Sequence, residues 1–240
     1  MDCSDKRYSR NIRIDGFGPE GQRRLCEGSV FIVGCGALGS IAATYLAGAG
    51  IGEIGLADFD NVDLSNLQRQ IIFNEEDCGK NKAECVERKI NSLNSSVKTC
   101  VYKKFITKSN AQEILSKYDF IIDATDNPSS KYMIDEICEK IGKPCCIGGV
   151  AELHGQVATY LPGGVRFSDQ FPEKPVDCEI LPCQVMGVLG PMAGVIASLQ
   201  AIEAIKYISH FGEPLSNNLL TVDCANNRFY TFKNAWTHRE

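Results

Sequence analysis

Gly34-Cys35-Gly36-Ala37-Leu38-Gly39 forms a G-x-G-x-x-G turn, and Asp58 follows 19 positions after its last glycine. Glycines at that spacing permit a tight turn and let backbone approach phosphate oxygens, while a helix starting there favours their negative charge. An acid about 20 residues further on is placed to accept hydrogen bonds from ribose hydroxyls. Together these residues point to a nucleotide site. The glycines alone would also suit close helix–strand packing, and the unit serves dinucleotide and ATP sites alike. Residues further along the chain must therefore decide which nucleotide binds.

The elements that hold these groups can be read from the pattern. Val30–Val33 is a short apolar, β-branched run of the kind found in buried parallel strands. An Ala- and Leu-rich helix follows the turn, and a second strand, Glu53–Ala57, ends at Asp58. The segment from Phe59 to Gln70 then carries Asp, Asn, Arg and Gln where a plain connection needs none of them. The pattern predicts a helix near 79–93 with Lys82 at its opening, a strand over 97–102, a short helix over 109–116 and a buried strand over 120–124. That strand runs into Thr125-Asp126-Asn127-Pro128, followed by a helix over 130–141 and a strand over 144–149. Ligands of open parallel sheets bind beyond the carboxyl ends of the strands, so Asp126 is expected to face the crevice shared by Gly36 and Asp58, or to cap the helix after Pro128.

The fold class is therefore α/β, a doubly wound, Rossmann-like, mostly parallel sheet extended by antiparallel C-terminal strands. Residues 155–161 read as one of those strands, and 219–223 with 228–232 as a closing hairpin. Residues 187–207 read as a strongly apolar helix. Between them, 162–185 is Pro-rich and polar, and a loop of that length is functional or disordered. We expect 164–182 to be mobile in the free protein and to order over substrate. The whole, 1–240, is expected to form a single domain: an N-terminal arm and helix (1–28), a nucleotide-binding core (29–150) and a carrier-binding and dimerisation part (151–240).

Bulk properties narrow the class. A net charge of −5 argues against nucleic acid as the main partner. No apolar run approaches the roughly 20 residues of a membrane span, and the polar start lacks the apolar core of a signal peptide, so a cytoplasmic protein is expected. The 12 cysteines are scattered without a C-x-x-C pair, which suits buried small hydrophobes rather than disulfides or structural zinc. Cys178 and Cys183 differ by lying in the polar loop. His154 is read as structural.

With these residues in place, the chain resembles the ThiF/MoeB/HesA family, bacterial relatives of ubiquitin-activating enzymes. The resemblance runs nearly end to end: RYSRN, GCGALG, DFDNVDLSNLQRQ, GKNKAE, DATDN and GVLGPMAGVIASLQAIEAIK. The segment SNLQRQ is the most specific, since a dehydrogenase has no use for an arginine flanked by amides there.

The resemblance implies an ATP- and Mg²⁺-dependent adenylyltransferase. Its substrate would be the C-terminal glycine carboxylate of a ubiquitin-like sulfur carrier ending in Gly-Gly, with pyrophosphate released. It implies a homodimer in which Arg10 enters the partner's site. Gly34, Gly36, Ala37 and Gly39 would lie under the phosphates, and Asp58 would hold the ribose. Asn66, Arg69, Gln70 and Lys82 would contact the triphosphate, with Asp60 and Asn127 in the same nucleotide-contacting set. Asp126 would hold Mg²⁺, and Cys183 matches the cysteine that takes part in sulfur transfer or carrier linkage. The chemistry agrees: a carboxylate attacking the α-phosphorus meets a polyanion, so cations must offset charge, and no general base is needed because the carboxylate is already ionised.

Three departures from the family pattern stand out. The zinc C-x-x-C pairs, expected near Val165–Ser168 and after Phe232, are missing, so zinc is not expected and packing must hold the loop. Ala37 replaces a common glycine. No rhodanese-like extension follows the hairpin, so a separate sulfur-donor protein is expected. The leading pathway is thiamine thiazole synthesis with a ThiS-like carrier. The alternatives are a MoaD-like molybdopterin carrier, cysteine synthesis, a peptide or tRNA-base substrate, a non-catalytic ATP-binding subunit, and a nicotinamide dehydrogenase.

Overall fold

A computed structural model of the protein describes residues 6–174, 187–216 and 218–233. Its centre is β1 (Ser29–Val33), buried from its second residue onward because it pairs in parallel with strands on both sides. One neighbour is β2 (Glu53–Ala57), which pairs in turn with β3 (Lys98–Tyr102). The other is β4 (Phe120–Asp123), which pairs with β5 (Cys145–Ala151). Beyond β5 the sheet becomes antiparallel through β6 (His154–Tyr160), β7 (Asn218–Asp223) and β8 (Arg228–Lys233). The order is β3-β2-β1-β4-β5-β6-β7-β8 in one 8-stranded sheet. The chain moves outward in one direction from β1 and then crosses to β4, so a crevice opens beyond the carboxyl ends of β1 and β4.

Side chains alternate along the strands and divide the core in two. Val30, Ile32, Ile54, Leu56, Phe120 and Ile122 enter a layer under α3 (Gly39–Ala49), α4 (Lys82–Leu93) and the long C-terminal helix α8 (Gly190–Ser209). Phe31, Val33 and Ile121 enter the other layer, under α5 (Ala111–Leu115) and α6 (Pro128–Ile141). Each such fully buried aliphatic side chain stabilises the fold by about 1.5–3 kcal/mol. Short α1 (Ser9–Ile12) and α2 (Gly18–Glu27) precede β1, and α7 (Phe167–Gln170) lies after β6.

The structure bears out the expected α/β sheet and hairpin, and it moves several boundaries for local reasons. Helix α4 begins at Lys82, not near 79, because Gly79 is left-handed and the Asn81 side chain accepts from the Ala83 and Glu84 N–H groups. Helix α6 begins at Pro128, two residues early, capped by Asn127, whose Oδ1 accepts from Ser130 N–H at 2.8 Å. Asp126 is therefore not that helix's cap. Helix α8 begins at Gly190, where Pro191 suits the first turn, because Val188 is held in a bridge to Glu152.

Candidate active site

The turn after β1 needs its glycines for different reasons. Gly34 is left-handed (φ 90°) and donates its N–H to the Ala57 carbonyl at 2.8 Å. A Cβ on Gly39 would stand 1.8 Å from the Gly34 carbonyl oxygen, so this glycine serves helix–strand packing and does not line the cleft. Among the described residues a Cβ on Gly36 would meet nothing nearer than Gln70 Nε2 at 3.6 Å, which leaves open floor above the turn. The start of α3 points over this floor, and Ala37 lines it.

Asp58 follows β2 directly and faces the same floor. One carboxylate oxygen accepts the Cys35 N–H at 2.7 Å and the other accepts the Asp60 N–H at 2.8 Å. Burial pushes its pKa above the ordinary value, an effect opposed by those two N–H groups and by Lys82. A carboxylate has about four acceptor sites, so capacity remains for ribose hydroxyls. Burial also raises the Cys35 thiol well above its usual range, which leaves it an inert packing group.

Lys82 is buried, and its Nζ lies 3.0 Å from Asp60 Oδ2. Asn81 ties the two acids' backbones together by donating to both the Asp58 and Asp60 carbonyls. Gln70 is buried beside Gly36, with its Oε1 unpartnered among the described residues. The Arg69 guanidinium spends one donor on the Ser65 carbonyl and lines the cleft with the rest. Asn66 is turned elsewhere: its Oδ1 accepts the Asp63 N–H and closes a short 3-10 turn, outside the cleft lining.

These groups converge on a cleft of about 840 Å³ lined by Gly34, Gly36, Ala37, Asp58, Asp60, Arg69, Gln70, Lys82, Asp126 and Asn127. Asp126 is exposed in that lining. The cleft continues across the antiparallel half, past Gly149, Gln156, Thr221 and Tyr230. Arg10 is exposed on the helical arm and does not line the cleft. The arm is pinned in place, since Asn94 donates to the buried Tyr8 hydroxyl and Arg7 donates to the Leu93 carbonyl. Cys178 and Cys183 lie outside the described residues.

Sequence reasoning missed two features. Phe59 and Phe105 stack at the cleft with ring centroids 3.4 Å apart, both largely exposed beside Asp58. Lys131 reaches into the lining from α6, and its position four residues after Asn127 on a helix was the available signal.

The polar segment after β6 is more ordered than its composition suggests. Asp135 of α6, almost fully buried, accepts from Arg166 Nη2 at 2.9 Å and from the Phe167 and Ser168 N–H groups at 3.1 and 3.4 Å. Phe167 packs edge-on against Tyr132 and Tyr160, and the Tyr132 hydroxyl donates to the Phe171 carbonyl at 2.6 Å. The described part of the expected loop is thus folded as α7 and walls the cleft with Phe167, Phe171 and Glu173. A carboxylate and an aromatic cluster hold Val165–Ser168. Residues 175–186 lie outside the described residues.

The set fits a nucleotide triphosphate: open floor at Gly36 with the Gln70 Nε2 donor beside it, two cations at Arg69 and Lys82, and an acid at Asp58 to accept from ribose hydroxyls. Among the described residues no three His, Cys, Asp or Glu side chains come together as a metal cage. The exposed carboxylate of Asp126 suits Mg²⁺, which takes one or two carboxylates and otherwise binds substrate phosphates and water. Among the described residues no helix is long and apolar enough to cross a membrane.

Comparison with known proteins agrees with this geometry. The pattern of the ThiF family matches residues 8–239. The chain is 42% identical over 228 residues to the adenylyltransferase and sulfurtransferase MOCS3 of Arabidopsis thaliana, covering 95% of this chain and 49% of that protein. It is 38% identical over 225 residues to the SAMP-activating enzyme E1 of Haloferax volcanii, covering 94% and 83%. The chain spans about half the length of several of the curated relatives it matches. Among solved structures it resembles Escherichia coli MccB with ATP at a TM-score of 0.84 and 27% identity, covering 95% of this chain and 71% of that one.

Proposed function

The chain belongs to the ThiF family, and we propose that it is an ATP-dependent adenylyltransferase acting on the C-terminal carboxylate of a ubiquitin-like sulfur carrier. One observation carries this reading: the phosphate-handling groups and the antiparallel half of the sheet line a single continuous cleft. A nucleotide seated over Gly36 and Asp58 would leave room for an extended C-terminal tail over Gly149 and Gln156.

The residues then have distinct tasks. Asp58 holds the ribose, and the Gly36 floor lets the triphosphate lie close to the start of α3. Arg69, Lys82 and Gln70 hold the phosphates and offset charge that grows on the departing pyrophosphate. The carrier carboxylate, already ionised near neutral pH, attacks the α-phosphorus, and the bond to pyrophosphate breaks with its electron pair leaving on pyrophosphate. Asp126 would hold Mg²⁺, which supplies further neutralisation of phosphate charge when bound. Arg10 would act in the site of a second copy of the chain. Cys183 keeps its expected part in carrier linkage or sulfur transfer.

The finer choice is a ThiS-like carrier of thiamine synthesis, with a MoaD-like carrier fitting the same cleft equally well. A second reading keeps the same chemistry on another substrate such as a peptide terminus, in line with the likeness to MccB, also solved with a second molecule, MccA, at 28% identity and a TM-score of 0.82. ATP–pyrophosphate exchange with a panel of candidate carriers ending in Gly-Gly tests all three. Exchange with one carrier names the substrate. Silence with every carrier, together with measurable ATP binding, overturns the carrier reading and moves the search to peptides.

A further inference from the structure

Lys131 lines the cleft from α6, and the adenylyltransferase reading above gives it no nucleotide contact. Its side chain is 14% exposed, and its Nζ donates to the Thr125 carbonyl at 2.8 Å and the Gly148 carbonyl at 2.7 Å. Thr125 lies just beyond β4 and Gly148 lies within β5, so the ammonium sits on the last parallel strand pair before the sheet turns antiparallel. The cleft's nucleotide half and its antiparallel half meet there. An ammonium has three donors, and the two carbonyls take two of them.

Among the described residues the third donor has no partner within hydrogen-bond reach. Asp123 Oδ1 stands 3.8 Å away, beyond hydrogen-bond reach, and is already engaged by the Thr125 N–H and hydroxyl. Asp123 is fully buried, and its Oδ2 has no partner among the described residues. The pair therefore offsets charge and aims the lysine, without consuming its last donor.

We propose that Lys131 binds the incoming carboxylate of the second substrate, with Asp123 and the two carbonyls as its positioning partners. The inference rests on the adenylyltransferase reading and deepens it. A carboxylate must come within bonding distance of the α-phosphorus although both are negative, and a cation fixed at the junction of the two halves lowers that repulsion. Asp123 stands behind the lysine, and Asp126, Glu173 and Asp223 are among the acids lining the same cleft; none of these can serve as a counter-ion to a carboxylate. A purely structural lysine would only stitch the β4 and β5 ends together.

Removing one member of a buried ion pair can unfold a protein, so the test uses Lys131→Met, Lys131→Arg and the double variant Lys131→Met/Asp123→Asn. The double variant leaves no uncompensated charge and should recover the melting temperature lost by Lys131→Met. The probe is a synthetic peptide with the carrier's terminal sequence, ending in Gly-Gly as a free carboxylate or as an amide, measured by calorimetry with the ATP analogue AMPCPP bound. The wild type should bind the carboxylate at least tenfold more tightly than the amide. Both Met variants should lose that preference while holding AMPCPP within about twofold of wild type, and Lys131→Arg should keep part of it. A double variant that folds and still prefers the carboxylate overturns the proposal, as does a wild type with no preference. Carboxylate preference without pyrophosphate exchange would overturn the enzymatic reading alone.

Discussion

Lys82 Nζ lies 3.0 Å from Asp60 Oδ2, with the lysine side chain 10% exposed and the aspartate 48%. The cation is fixed inside the wall while its counter-ion stands half in solvent. A triphosphate brings several negative charges against one carboxylate, so phosphate oxygens can take over the ammonium while Asp60 turns to water. Lys82→Met keeps the apolar stem and removes the charge, and it should lower pyrophosphate exchange by about 10²–10³-fold with little change in the unfolding midpoint. Exchange within threefold of wild type would remove Lys82 from the phosphate-binding set.

Two glycines of one turn should respond in opposite ways. Gly39→Ala would drive a Cβ to 1.8 Å from a backbone oxygen, and backbone cannot swing aside as a side-chain end can. It should destabilise the fold by about 3 kcal/mol. Among the described residues Gly36→Ala meets nothing closer than 3.6 Å, so stability should stay within about 0.5 kcal/mol while ATP affinity falls about tenfold. Denaturant unfolding and nucleotide titration of both variants decide the matter. Equal destabilisation would mean that neither glycine is spared for the ligand.

The pH dependence of stability should carry a signature of Asp77. Burial works to raise its pKa, but hydrogen bonds from Arg88 and the Asn74 N–H outweigh it and leave the carboxyl below 3.8. A carboxyl lowered on folding adds stability above its unfolded value, and that stability is lost as pH falls through the folded value. Arg88 is 57% exposed, so solvent weakens the pair and about 1 kcal/mol is the expected contribution at pH 7. Asp77→Asn should therefore unfold at lower urea than wild type at pH 7, with the gap closing below pH 3.8. A gap unchanged with pH would assign the effect to packing.

What was legible in the sequence is what depends on spacing along the chain. The run from β1 through Gly34–Gly39 to Asp58 has its geometry set by neighbours within about 30 residues, the span of one βαβ unit, so its glycines and acid could be placed without the sheet. Lys131 could not be assigned, because its meaning comes from carbonyls on two different strands and from Asp123 behind it. Asp135 reads as one more polar residue on α6; only the return of the chain at Arg166–Ser168 makes it an anchor. Asn66 shows the other side of this, since the resemblance implied a triphosphate contact while in this structure its Oδ1 closes its own turn.

Arg10 offers a prediction that needs no structure of an assembly. It is exposed on an arm held by Tyr8 and Asn94, and it is absent from the lining of its own chain's cleft. If it serves a partner's site, Arg10→Ala and Lys82→Met break different chains of each composite site. Either variant alone should be inactive. Mixed and allowed to exchange subunits at random, half the dimers are hybrids, and one of the two sites in each hybrid unites an intact Lys82 with an intact Arg10. Exchange activity should then return to about a quarter of wild type per site. A mixture as silent as its components, with subunit exchange verified by mass, would place Arg10 in its own chain's site or remove it from the mechanism.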